Sequence, residues 1–303
     1  MRRTLLVCLI SVLFPVLAFG GGAWVPKPGE GDFQLGFSRK TASSSWDADG
    51  DSFDNLTTVA GKRVPAYHDF RYGYLSGELG IFHNLSARAL VTYLHGLEGA
   101  HGNEERNVGL SDAWLGLKYG MHQERAWPMA FAFTYRTPAL YDRSGPYNRH
   151  LFDAHGKVIG VSSEWRGVLK HDYTLSYLAS HSIANGHGWM QFETGYTWRE
   201  GAPADQIPLT AEVGYPLKWR GTTLKTTMYL VRSLGNDSPA QPDDRFKANA
   251  TFNFNDASMA RAGVALIMPV AHRTDVEIGY NQWVWGKSAR RYREPYLSVG
   301  YKF

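Results

Sequence analysis

Nine charged side chains sit at alternate positions of segments that otherwise read as strands: Arg88, Asp112, Lys118, Arg136, Glu193, Arg199, Glu212, Lys225 and Glu277. They fall on the polar side of an apolar/polar alternation. A charge on an enclosed face must be solvated or paired with its opposite, because isolated burial is costly. The chemistry open to such a set is therefore non-covalent. One reading is a narrow mixed-charge passage for a small polar or amphipathic solute; the other is a salt-bridged interior that only holds its walls together. Both signs occur in similar number, which argues against strong selectivity for anions or cations.

Covalent and metal chemistry find weaker footing. The run Asp47-Ala48-Asp49-Gly50-Asp51-Ser52-Phe53-Asp54 alternates carboxylates around a glycine, as a loop does when it aims several oxygens at calcium. It lacks the glycine placement and the distant glutamate of a complete EF-hand loop, so an acidic surface loop is the expectation. The 11 histidines form no H-E-x-x-H helix and no pair at metal spacing. Ser176, Ser180 and His181 are the nearest approach to a nucleophile and base for lipid hydrolysis or acyl transfer, but only composition marks them. No nucleotide-type glycine loop is present. The expectation is no enzyme, no cofactor and no metal.

The elements that must position these residues are strands. Segments about ten residues long place apolar or aromatic side chains at every second position, a period that fits a strand and not a helix. Leu297, Val299, Tyr301 and Phe303 share one face, opposite Tyr296, Ser298, Gly300 and Lys302. Met129, Phe131, Phe133 and Tyr135 do the same against Ala130, Ala132, Thr134 and Arg136. Alternation alone fits both a soluble sandwich and a membrane barrel. Aromatics near segment ends, among them Tyr72, Tyr74, Trp198, Trp283 and Trp285, read as interfacial girdles. The other face, rich in Gly, Ala, Ser, Thr and charges of both signs, suits a confined lumen.

Twelve strands are predicted, at 32–40, 68–81, 85–95, 109–120, 128–137, 168–182, 188–199, 207–217, 222–233, 258–269, 274–286 and 292–303, with ten to fourteen as the range. Glu78 faces inward in this reading through a register change near Gly77. Short connections alternate with longer polar ones, which sends the two kinds to opposite ends of an antiparallel up-and-down barrel. The architecture expected is all-β and transmembrane, without a plug domain.

Composition sets the surroundings. The chain has 303 residues, 44% of them hydrophobic and 14% aromatic, and its mean hydropathy is negative, which excludes a bundle of membrane-spanning helices. Residues 1–20 read as a secretory signal peptide: Arg2 and Arg3, an apolar stretch from Leu5 to Leu17, then Ala18-Phe19-Gly20, with cleavage after Ala23 as the alternative. Residues 21–31 form a periplasmic N-terminal segment and 32–303 the barrel. The one cysteine, Cys8, lies in the leader, so the exported chain has no thiol for a disulfide or a thiolate metal site. Without Arg2 and Arg3, 30 basic residues face 28 acidic ones. That near-neutrality excludes a nucleic-acid partner. The one dense basic run, Lys287 to Arg293, reads as a loop near lipid phosphates.

Several stretches resemble a known family. Ala23-Trp24-Val25-Pro26-Lys27-Pro28-Gly29-Glu30-Gly31, Leu110 to Tyr119 (LSDAWLGLKY), and Glu193 to Pro203 followed by Glu212-Val213-Gly214-Tyr215 are similar to bacterial outer-membrane proteins linked to the meta-cleavage pathway of phenol degradation. The C-terminal strand Tyr296 to Phe303 resembles the signal by which outer-membrane barrels are recognised for assembly, with Tyr301 and Phe303 carrying it. The resemblance implies an outer-membrane channel or transporter for a small solute, with aromatic or amphipathic compounds among the candidates. Its partners would be outer-membrane lipid and lipopolysaccharide, the barrel-assembly machinery and the solute. The alternatives are a lipid-modifying enzyme and a structural or surface-binding barrel.

Overall fold

In the computed structural model, the described residues are 22–59, 62–100, 103–138, 140, 150–152, 158–161, 171–200, 204–235, 241–242, 251–252 and 256–303. Twelve strands form the wall: β1 Gly31–Ala42, β2 Tyr67–Phe82, β3 Leu85–Ala100, β4 Asn103–Met121, β5 Met129–Thr137, β6 Asp172–Ile183, β7 Gly188–Arg199, β8 Gln206–Pro216, β9 Thr223–Ser233, β10 Ser258–Ala271, β11 Thr274–Lys287 and β12 Arg293–Lys302. Each pairs antiparallel with its chain neighbours, and β12 pairs with β1 (Asp32 with Lys302, Phe37 with Leu297), so the sheet closes on itself. Closure leaves the sheet without an open edge, which is the condition for strands to cross a bilayer.

Solvent exposure is inverted relative to a soluble protein. Leu75, Leu115 and Ile278 are 52%, 53% and 52% exposed, whereas Asp112 and Lys118 are both 0%. A water-soluble sandwich would bury the first group. The outward belt continues through Phe33, Leu35, Phe37, Phe131, Phe133, Leu175, Leu297 and Val299. Charge placed on this belt should destabilise the fold. Leu115→Arg is expected to cost about 2–4 kcal/mol near the bilayer midplane, and reversible unfolding from lipid vesicles would measure it. Leu115→Ser at the same site should cost less.

Tight connections close one end, and their backbones match their residues. Asn84 (φ 62°) and Asn185 (φ 56°) occupy left-handed positions that asparagine tolerates, and Gly221 (φ 70°) follows Arg220 (φ 47°) in the turn after β8. At the other end most connections are longer, but β3 and β4 join through 101–102 alone, so the long connection expected at 96–108 is replaced by extended strands, Ala100 pairing with Asn103. Ser44–Trp46, Ser52–Asp54 and Ala289–Arg290 form a small three-stranded sheet there.

Three expectations about facing are corrected. Tyr72, Tyr74 and Trp283 do not belong to an interfacial girdle; they point inward and are 5%, 6% and 2% exposed. Glu78 faces inward with no register change at Gly77, since pairing of β2 with β3 runs unbroken from Tyr67 to Gly80. Tyr72, Tyr74, Ser76 and Glu78 simply share one parity, opposite Leu75 and Leu79. The basic run 287–293 is also split. Arg290 turns in and is buried, while Arg293 is exposed.

Candidate functional site

Strand alternation delivers the nine charged residues to one enclosed face, where most of them form pairs. Lys118 bonds Glu78 at 2.8 Å. Arg136 lies between two carboxylates, bonding Asp112 and reaching Asp172 at 3.2 Å, and Arg199 approaches Asp172 at 3.4 Å. The Arg136 guanidinium also covers the Trp114 ring, 5.0 Å from its centroid. Lys225 links Glu277 (2.5 Å) to Glu212 (3.9 Å), and Glu212 accepts from Trp189 Nε1 and Gln191 Nε2. Arg88 and Glu193 line an interior cavity together with Trp114, Arg136, Asp172 and Tyr229. The structure therefore brings all nine to the interior. Sequence reasoning missed Lys40, which pairs with Glu294 at 3.5 Å, and left Glu294 unassigned.

The half of the interior nearer the long connections is aromatic, which the sequence reading did not anticipate. Phe70, Tyr72, Leu94, Tyr229, Val231, Met259, Trp283 and Tyr292 form one buried cluster with Trp46 and Ala289 of the small sheet. Cations sit against its rings: Lys40 Nζ is 4.7 Å from the Tyr72 centroid, and the Arg261 guanidinium is 5.3 and 5.5 Å from those of Tyr229 and Trp283. Such contacts are worth about 0.5–2 kcal/mol each. In the connection after β11, burial pushes the Tyr292 hydroxyl above its ordinary value. Arg290 ties the small sheet to the wall, 3.1 Å from Glu98 on β3.

At the opposite mouth, residues 22–30 run along the inner wall. Lys118 Nζ donates to the backbone carbonyls of Gly22 (3.0 Å) and Trp24 (2.6 Å). The Ala23 amide donates to Ser180 Oγ (2.8 Å) and the Val25 amide to Gln123 Oε1 (2.9 Å). Ala23, 0% exposed, packs on Ala130, Ala132 and Leu178. Gly80 leaves room for this strap: a Cβ there would lie 2.2 Å from the Lys27 carbonyl. The strap thus spans β2 to β6 and narrows the inner mouth without being a domain.

The alternative chemistries lose their geometry. Ser180 faces the lumen, whereas His181 lies on the outer face, stacked 4.6 Å from the Trp127 ring with Nδ1 on the Ala126 carbonyl. Adjacent strand residues cannot meet. Ser176 is buried on the lumen side, in the cavity wall. Asp47 Oδ1 accepts the amides of Asp49 (3.1 Å) and Asp51 (2.9 Å), so its carboxylate shapes its own turn. Among the described residues no group of three or more His, Cys, Asp or Glu is placed to hold a metal. Tyr301 and Phe303 project outward beside Phe33, at centroid distances of 5.4 and 6.5 Å.

The fold is that of outer-membrane barrels. An outer-membrane channel from Pseudomonas putida F1 superposes with a TM-score of 0.62 at 11% identity, over 93% of this chain and 98% of that one. The NanC porin follows at 0.48 and 9% identity, over 89% and 100% of the two chains. The CymD monoaromatic hydrocarbon channel gives 0.44 and 8%, over 91% and 89%. No protein-family model and no curated protein matches the sequence.

Proposed function

We propose that the protein is an outer-membrane channel that passes a small amphipathic solute, with aromatic compounds the class its lumen suits best. The observation that carries this is the interior cavity, lined by Arg88, Arg136, Asp172 and Glu193 beside Trp114 and Tyr229. Charged and aromatic groups side by side suit a solute with one ring face and one polar group. Arg88, Asp112, Lys118, Arg136, Glu193, Arg199, Glu212, Lys225 and Glu277 line the path in this reading. Residues 1–20 serve as the cleaved export signal, and Tyr301 and Phe303 are read by the assembly machinery.

The test is electrical. Purified protein in planar bilayers should give discrete channel events, and benzoate-type anions added to one side should interrupt the current more than acetate does. Absence of any conductance would overturn the reading. Trp114→Ala and Tyr229→Ala should each reduce the benzoate block by about twofold to tenfold, the loss of a ring contact worth about 0.5–1.5 kcal/mol, and leave the acetate response unchanged.

A further inference from the structure

Outward positions of β1, β2 and β12 are apolar over most of their length, with Leu35, Phe37, Leu75, Leu297 and Val299 all exposed. Toward the long-connection end the same face turns basic. Arg39 and Arg71 are direct cross-strand partners, and one row further on Thr41 pairs with both Asp69 and Arg293. Arg39 bonds Asp69 twice, Nε and Nη2 each at 2.8 Å, and Arg71 Nη2 reaches the same carboxylate at 3.4 Å. The two guanidinium side chains are still 56% and 55% exposed, and Arg293 is exposed beside them.

Like charges facing each other across a strand pair repel. A single carboxylate cannot neutralise three guanidinium groups, and an outward charge within hydrocarbon is costly. Among the described residues Asp69 is the carboxylate bonded to Arg39 and Arg71, so the remaining negative charge is left to the medium at the level where the apolar belt ends. There the available anions are lipid headgroup phosphates, for which arginine is the preferred bidentate partner.

We propose that Arg39 and Arg71, both held by Asp69, form with the neighbouring Arg293 a binding site for the phosphates of an outer-leaflet glycolipid. The site uses the outer wall and is independent of the lumen; it rests on the outer-membrane location proposed above, with the long-connection end facing outward. Asp69 acts as a positioning residue, fixing the Arg39 plane so that its remaining N–H groups face the membrane.

The full-length protein is reconstituted in phosphatidylcholine vesicles carrying diphosphorylated lipid A, lipid A stripped of both phosphates, or phosphatidylglycerol, and the lipid retained after detergent extraction is quantified. Diphosphorylated lipid A should be retained at least about tenfold over the stripped form, because hydrogen bonds to charged groups are each worth a factor of ten or more. The double variant Arg39→Gln/Arg71→Gln should lose that preference, Arg293→Gln should lose part of it, and Arg232→Gln on β9 should keep it. Equal retention of both lipid A forms by the wild-type protein overturns the proposal. So does phosphatidylglycerol retained as well as diphosphorylated lipid A, or displacement by inorganic phosphate alone. Channel conductance, measured on the same variants, should stay at the wild-type value, which separates failure of this site from failure of the channel reading.

Discussion

Lys118→Met is expected to raise single-channel conductance and at the same time weaken the barrel. The ammonium group makes three contacts at once: the Glu78 carboxylate and the carbonyls of Gly22 and Trp24. Methionine fills similar volume but offers no donor. Glu78, 3% exposed, would keep the Ser86 hydroxyl and the cross-strand Arg88 charge but lose its bonded cation, a loss at the lower end of the about 3–5 kcal/mol for a buried pair broken on one side. The strap would lose its main anchor and spend part of its time away from the wall. Two further variants separate these effects. Lys118→Met/Glu78→Gln should recover most of the stability while keeping the high conductance. Deleting residues 22–26 should raise conductance to the same level. Conductance unchanged in all three would show that the strap does not limit the path.

The second large effect is expected at Arg136. It is the shared cation for Asp112 and Asp172, and Asp112 is fully enclosed. Arg136→Met takes the bonded cation away from Asp112 and Asp172 and removes the guanidinium stacked on Trp114. The expected cost is again about 3–5 kcal/mol, read as a lower temperature at which the folded band disappears from a non-boiled gel. The cavity also gains net negative charge, so the reversal potential in a salt gradient should shift toward cation selectivity. Arg136→Lys retains the charge without the planar fork that bonds two partners, so it should keep the wild-type reversal potential and lose about half as much stability as Arg136→Met. A wild-type reversal potential in Arg136→Met would place the ion path away from the cavity.

The wall was legible because its signal is local and repeated. A strand with lipid outside and water inside alternates along its whole length, and Leu115, Leu117 and Tyr119 against Gly116 and Lys118 carry that pattern without outside help. Facing was legible where parity was followed strictly. Tyr72 and Tyr74 were misplaced because a ring at a strand end looks the same in sequence whether it meets lipid headgroups or the lumen. Their parity with Ser76 and Glu78 held the answer. Trp283 was harder, since the register of β10 against β11 shifts between Ala260 and Arg261 and breaks the count. The strap was not legible at all. Residues 22–30 have no period, and their partners Lys118 and Ser180 lie 96 and 157 positions away. Arg39 and Arg71 carry no sequence signal of their own, and only strand pairing sets them opposite each other.

Pairing of β1 with β12 has a consequence for biogenesis. The two segments that complete the cylinder are the most distant in the sequence, so a nascent or C-terminally shortened chain presents two open edges, each a row of unpaired N–H and C=O groups ready to template aggregation. Pairing of β12 with β1 is therefore the step that removes both edges, and slowing that final zipping should channel the protein toward proteolysis before any loss of equilibrium stability is seen.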